Sequence, residues 1–357
     1  MTSLFDPVTF ARGPAMKNRF MLAPLTNCQS HPDGRLSDEE FHWLVMRAKG
    51  GFGLTMTCAA HVQARGQGFP GQLGAFSDIH LPGLTRLAAA IKAHGGLAVV
   101  QLHHAGMRSD ASLVKDLVSA SEDAATGARA LTTDEVSQLR DDFIAAALRC
   151  ERAGFDGVEI HGAHGYVLTQ FLSAETNRRT DRYGGSLENR ERLVLEIIEG
   201  IRAQCRADFN FGIRLSPERY GVKLGEIVPL AQRLMRDGRL DYIDMSLWDA
   251  FKEPEEAEFK GRTLASYFTE LDRGATRLAA AGKINTGEKA QAALDAGFDF
   301  IAVGRGAILH HDFPRRVEAD AKFLPINLPV SAAYLRDEGL SDVFVKYMSN
   351  WKNFVAA

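Results

Sequence analysis

Short apolar runs alternate along the chain with longer stretches whose apolar positions recur at helical spacing. Eight runs, at 20–23, 54–57, 98–102, 157–160, 211–215, 242–245, 283–285 and 300–303, predict strands. They are mostly apolar on both faces, as parallel strands covered on both sides are. Ser37-Asp38-Glu39-Glu40 reads as a capping box opening a helix over 41–48, and Thr132-Thr133-Asp134-Glu135 as one opening a helix that runs through 143–152. Gly95-Gly96, Gly154, Gly238, Gly282 and Gly297 stand between helix and strand, where a left-handed C-cap belongs.

Eight βα units predict an α/β fold, a single (β/α)8 TIM barrel. The competitor is an open doubly wound sheet, whose dinucleotide-binding form calls for a G-x-G-x-x-G run opening a helix after an early strand; that arrangement is not found. Two long polar excursions, 107–129 after strand 3 and 173–186 after strand 4, leave the carboxyl ends of their strands, the face where barrel active sites sit. The expectation is one domain over residues 1–357, with the barrel from about 18 to 322 and a C-terminal tail from about 323 to 357.

Composition narrows the functional classes. An apolar fraction of 45% can fill a barrel and the layer between barrel and helices, and a net charge of −3 offers no broad basic field for nucleic acid or anionic lipid. No run of 18 apolar residues predicts a membrane span, and the start, Met1 to Pro7, does not read as a signal peptide. Cys28, Cys58, Cys150 and Cys205 form no C-x-x-C pair, which fits free thiols in a reducing cytoplasm.

The strongest chemical signal is His161-Gly162-Ala163-His164-Gly165-Tyr166, directly after the fourth strand. Two imidazoles can stabilise a carbonyl oxygen that gains negative charge, and a phenol can supply a proton in the same step. A purely structural reading would have these groups tie loops together. His103 and His104 are adjacent, so on a strand they point to opposite faces and cannot chelate one ion; no metal site is expected. Asn285-Thr286-Gly287 and Gly304-Arg305-Gly306 follow the seventh and eighth strands. Glycine N–H groups, helix starts and an Arg fork there suit a phosphate. Thr26, Gln101 and Arg214 stand at strand ends facing the barrel mouth. A buried Arg214 needs either a ligand with acceptor atoms or an internal salt bridge, and the sequence leaves both open.

Together these residues resemble the old yellow enzyme family of FMN-dependent ene-reductases, over about Leu4 to Phe313. The likeness is carried by Asn18-Arg19-Phe20-Met21-Leu22-Ala23-Pro24-Leu25-Thr26 and by Gln101-Leu102-His103-His104-Ala105-Gly106. Its most specific part runs from His161 to Tyr166 and on through Gln170-Phe171-Leu172-Ser173, the stretch from Asn177 to Ser186, and Glu188-Asn189-Arg190. The resemblance implies tightly bound FMN, NADPH or NADH as reductant, and a small activated alkene (an enone, enal or nitroalkene) as substrate. It implies that Pro24, Leu25 and Ala60 contact the isoalloxazine, Thr26 its O4, Gln101 its pyrimidine edge and Arg214 its N1 and O2, while Gly287, Gly304 and Arg305 hold the phosphate. His161 and His164 would hold the substrate oxygen and Tyr166 would give the proton. Tyr183, Asn189 and Arg190 are assigned to scaffolding. Two departures stand out: His104-Ala105-Gly106-Met107-Arg108 replaces the family's H-A-G-R run, and the tail extends past Arg336 to Tyr347, Trp351 and Phe354. Rival readings are a metal-dependent barrel hydrolase, a tRNA-reducing barrel and a non-catalytic flavin-binding barrel. The sequence does not decide the physiological alkene, the choice of nicotinamide nucleotide, or whether the chain forms a homo-oligomer.

Overall fold

The computed structural model describes residues 2–356. Eight parallel strands close into a barrel: β1 (Phe20–Leu22), β2 (Leu54–His61), β3 (Leu97–His103), β4 (Gly157–Gly162), β5 (Asn210–Leu215), β6 (Tyr242–Ser246), β7 (Arg277–Ala281) and β8 (Phe300–Val303). Each pairs with its chain neighbours, and β1 closes the ring on β8. Alternation along each strand separates two apolar layers. Leu22, Val100, Ile160, Ile213, Ile243, Leu278 and Ile301 join the layer between barrel and helices. Met21, Leu54, Met56, Leu97, Val99, Ala279, Phe300 and Ala302 fill the barrel itself, with Tyr242.

The amino-terminal segment plugs the lower end of the barrel. Val8 and Met16 pair antiparallel, and the Phe10 ring lies 6.0 Å from Tyr242 and 5.9 Å from Phe300. Room for the Tyr242 ring is made at Gly212, where a Cβ would come within 2.2 Å of it.

The structure moves one strand. Residues 283–285, expected as strand seven, form the loop after it, with Lys283 in the left-handed region (φ 53°). The strand is Arg277-Leu278-Ala279-Ala280-Ala281, an alanine-rich run of helical propensity that pairing with β6 and β8 holds extended. Gly282 accordingly follows a strand instead of preceding one, whereas Gly95, Gly154, Gly238 and Gly297 do turn left-handed at φ 69°, 88°, 68° and 106°.

The two expected capping boxes also differ. Thr132 and Glu135 make both reciprocal bonds at the start of the helix Thr133–Arg152. Ser37 caps the helix Asp38–Lys49 through the Glu40 N–H, but the Glu40 carboxylate turns into the interior and accepts from Asn27 and Ser30. Gly66-Gln67-Gly68-Phe69-Pro70-Gly71 has the glycine spacing of a dinucleotide fingerprint, yet it forms a loop after β2 and the next α-helix starts only at Leu81.

Both long loops rise from the carboxyl ends of β3 and β4. The first carries a small parallel pair, Val118–Ser119 with Arg129–Ala130. The second is pinned by Asn177, which donates to the carbonyls of Phe171 and Tyr183 at 2.7 and 2.8 Å, and by the Tyr183 hydroxyl on Glu196 at 2.9 Å. Asn189 ties to the Gly184 carbonyl and Arg190 to Glu226 at 2.6 Å.

Residues after Leu324 return across the same face in two helices, Ala332–Asp337 and Asp342–Met348. Trp43 against Phe344 (5.4 Å, edge to face) and the Tyr334 hydroxyl on the Leu309 carbonyl (2.7 Å) dock them. Among the described residues, no helix is long and apolar enough to cross a membrane.

Candidate active site

The carboxyl ends of the strands surround a cavity of about 290 Å³ that adjoins a second of about 380 Å³; Pro24, Leu25, His164, Arg214, Arg305 and Trp351 line both. One wall comes from the end of β4. Small residues and two left-handed turns, His164 (φ 61°) and Gly165 (φ 74°), fold this segment back so that three rings converge. His161 Nε2 lies 3.3 Å from His164 Nδ1, and His164 Nε2 lies 2.7 Å from Ser246 Oγ. The Tyr166 ring packs edge-on against His103 at 4.3 Å and lies 5.2 Å from His161. Both histidines line the cavity but bind each other, and His161 Nδ1 is buried with no protein partner.

Burial holds both imidazoles neutral. It depresses His161 well below the usual value, reinforced by His164, and takes His164 down to about 3, reinforced by Arg214 and Arg108. Burial raises the Tyr166 phenol, partly offset by Arg108, whose guanidinium sits 5.2 Å over the ring and donates to the His164 carbonyl at 2.8 Å. At neutral pH the wall therefore presents neutral imidazoles and a protonated phenol.

Beneath the cavity lies a polar layer of the barrel interior. Gln101 Nε2 donates to Glu159 Oε1 at 2.7 Å, and Arg214 Nε lies 3.0 Å from Asp244 Oδ2. Arg214 thus forms an internal ion pair, and it also lines the cavity. That pair is close but misaligned, so Arg214 Nε and both Asp244 carboxylate oxygens make no hydrogen bond.

The other expected positions divide. Pro24, Leu25 and Thr26 line the cavity from the end of β1, with Thr26 beside the Tyr347 phenol. Ala60 does not line it: it packs outward in the layer between barrel and helices, and Ala59 faces the cavity instead. An irregularity in the β2–β3 register between Met56 and Ala59 sets this phase. Gly304 and Arg305 line the second cavity, together with Asn285, Lys283 and Lys289. Gly287 does not; it opens the helix Gly287–Asp295 and is pressed against the chain near Ala321, whose carbonyl oxygen would lie 2.5 Å from a Cβ. His103 and His104 point apart, to Gln72 (3.0 Å) and Gln63 (3.1 Å).

Several lining residues have no site role in the sequence reading, which names Tyr347, Trp351 and Phe354 only as an extended tail. Phe69 comes from the glycine-rich loop after β2, Ile308 follows β8, and Tyr347, Met348, Trp351 and Phe354 arrive from the tail. Only the tail's aromatic spacing hinted at them. Lys289 could have been found as the first cation of the helix that Gly287 opens.

Residues 3–322 match the profile of the NADH:flavin oxidoreductase / NADH oxidase family. The chain belongs to this family. It is 37% identical over 327 residues to the probable NADH-dependent flavin oxidoreductase YqiG of Bacillus subtilis, covering 88% of this chain and 87% of that protein. Among solved structures it is similar to the old yellow enzyme homologue of Zymomonas mobilis (TM-score 0.82, 30% identity, 96% and 99% covered) and to morphinone reductase in complex with tetrahydroNAD (TM-score 0.80, 28% identity, 96% and 97% covered). Other relatives are longer: the chain spans 36% of the NADH:fumarate oxidoreductase of Klebsiella pneumoniae, at 32% identity. The protein is thus an oxidoreductase of the old yellow enzyme type, using FMN and NAD(P)H.

The two cavities fit that cofactor. The second carries three cationic side chains, Lys283, Lys289 and Arg305, and a buried Asn285 Oδ1 that no protein donor satisfies, as a phosphate and hydroxylated chain require. The first is a slot lined by Pro24, Leu25 and the histidine wall, with Gln101 and Arg214 reaching it from the polar layer of the barrel.

Proposed function

We propose that this enzyme reduces the carbon–carbon double bond of a small alkene activated by a carbonyl or nitro group, with NADH or NADPH as reductant. The observation that carries the reading is the wall of two neutral imidazoles and a protonated phenol facing a slot floored by Gln101 and Arg214. Bound FMN supplies the hydride relay between nicotinamide and alkene. Pro24, Leu25 and Ala59 would form the ring's bed, Thr26 would donate to its O4, Gln101 would meet the pyrimidine edge, and Arg214 would stabilise the charge that reduction brings to N1 and O2. Gly304 and Arg305 hold the phosphate, with Lys289 in the place first given to Gly287.

Neutral imidazoles suit the substrate's oxygen because each can donate an N–H without a competing counter-ion. For this the pair must trade its mutual contact, His161 Nε2 to His164 Nδ1, for the ligand. Tyr166, kept protonated by burial, gives its proton to the α carbon, and Arg108 above the ring stabilises the phenolate left behind. Tyr347 and Trp351 from the tail also line the slot, and a cavity of about 290 Å³ favours a small substrate.

The reading is tested by chromatography of the released cofactor and by anaerobic turnover of cyclohexenone with each nicotinamide nucleotide. FMN and enone-dependent oxidation of NADH or NADPH are expected. FAD, no flavin after reconstitution, or flavin reduction without any alkene turnover would contradict it.

A further inference from the structure

Two carboxyl groups in the barrel share one counter-ion. Glu159 on β4 and Asp244 on β6 are fully buried, and the guanidinium of Arg214 on β5 lies between their strands. Asp244 holds the guanidinium at 3.0 Å. Glu159 accepts from the neutral Gln101 amide at 2.7 Å and has the neutral Tyr242 phenol beside it, outside good hydrogen-bond geometry, so no cation pairs with it directly. The groups facing Glu159 are Asp244 and Tyr242 from β6, Arg214 from β5 and Gln101 from β3, while His161 follows two residues along its own strand. With all three charges present the layer carries one excess negative charge in a medium that solvates it poorly. Gln101 and Arg214 are also the floor of the cavity, so whatever charge develops on the ring above is felt directly by the carboxyl below.

We infer that Glu159 is a positioning residue that, in alkaline solution where it starts ionised, takes up a proton from solvent when the bound flavin is reduced, offsetting below the cavity floor the negative charge that reduction places above it. This rests on FMN lying over Gln101 and Arg214 as proposed. Hydride transfer brings two electrons and one hydrogen nucleus to the ring, leaving it with one additional negative charge. The balancing proton comes from water and ends on a Glu159 oxygen; nothing else is oxidised or reduced. An ionised Glu159 accepts from Gln101 Nε2 at 2.7 Å, and a protonated one still accepts there through its carbonyl oxygen, so the contact survives uptake of the proton.

Burial, with Asp244 adding and Arg214 opposing, pushes the Glu159 carboxyl up to about 8. Below that pH it is already protonated with oxidised flavin, and reduction takes up only the ring's own proton. Above it, reduction must also protonate Glu159. The potential should therefore fall more steeply with pH above about 8. A group titrating only in the reduced state does the reverse, making the dependence shallower as pH rises.

The experiment is a spectroelectrochemical titration of the FMN-loaded enzyme from about pH 7 to about pH 10, spanning the Glu159 transition. The expected result is one proton per two electrons at the lower end, rising to two above the break. Glu159→Gln should abolish the steepening, and Asp244→Asn, which removes the neighbouring charge and frees Arg214, should move it to lower pH. Reduced-minus-oxidised infrared spectra above the break should gain a protonated-carboxyl band, measurable in the wild-type enzyme even if a variant fails to fold. A constant or shallowing slope in the wild type, or steepening that survives in Glu159→Gln, overturns the inference while leaving the FMN reading intact. Wild-type protein that binds no FMN overturns the reading and the inference together.

Discussion

The lower and upper halves of the barrel interior are built from the same strands but satisfy different demands. Below, Met21, Leu54, Val99, Phe300 and Tyr242 close on the Phe10 plug as an apolar cluster. Above, Gln101, Glu159, Arg214 and Asp244 fill equivalent inward positions with polar groups, and Arg214, Glu159, Asp244 and the Tyr242 hydroxyl that faces Glu159 keep buried atoms without a hydrogen bond. A fold optimised only for stability would not leave those atoms so, because each unsatisfied buried group costs about 1–3 kcal/mol. The lower half holds the barrel shut, and the upper half is built for a molecule that completes it.

The contrast can be broken first from below. Phe300→Ala should lower unfolding free energy by about 3–5 kcal/mol, measured by denaturant titration, while the folded fraction still binds FMN in full. Loss of FMN binding in folded Phe300→Ala protein would show that the halves are not separable. From above, His164→Ala should weaken a phenolic ligand by about 1–3 kcal/mol, read from flavin absorbance titrations, with FMN affinity little changed. If ligand and FMN weaken equally, His164 shapes the cofactor bed instead of the substrate site. The smallest effect is expected at Thr26→Ala. Loss of a hydroxyl donor to O4 should lower the flavin potential by the equivalent of about 1 kcal/mol; an unchanged potential would assign Thr26 to Tyr347 alone.

Legibility in the sequence followed the same division. Strands such as Phe300–Val303 were readable because burial on both faces demands apolar runs. β7 was not, because Ala279 inside the barrel and Ala280 in the layer outside it are small residues that carry no strand signal. The polar rim was legible where chemistry is compressed into one segment, as from His161 to Tyr166. It was misread where the phase of a strand decides: Ala59 and Ala60 are indistinguishable in sequence, and the irregularity after Met56 chooses between them. Glu40 shows the same limit, since a Ser-x-x-Glu spacing does not reveal that Asn27 and Ser30 claim the carboxylate. The tail's place over the cavity depends on long-range docking through Trp43 and Leu309 that no local pattern encodes.

Whether the upper rim reduces alkenes by pairing hydride delivery with protonation from Tyr166 is decided by anaerobic stopped-flow of Tyr166→Phe. A positioned general acid contributes roughly 10²–10⁴-fold. Flavin reduction by nicotinamide needs no alkene proton, so it should stay near the wild-type rate, while reoxidation by cyclohexenone should slow by about that range and reoxidation by a quinone should survive. Equal slowing of both halves, or enone reoxidation at the wild-type rate, would contradict the account.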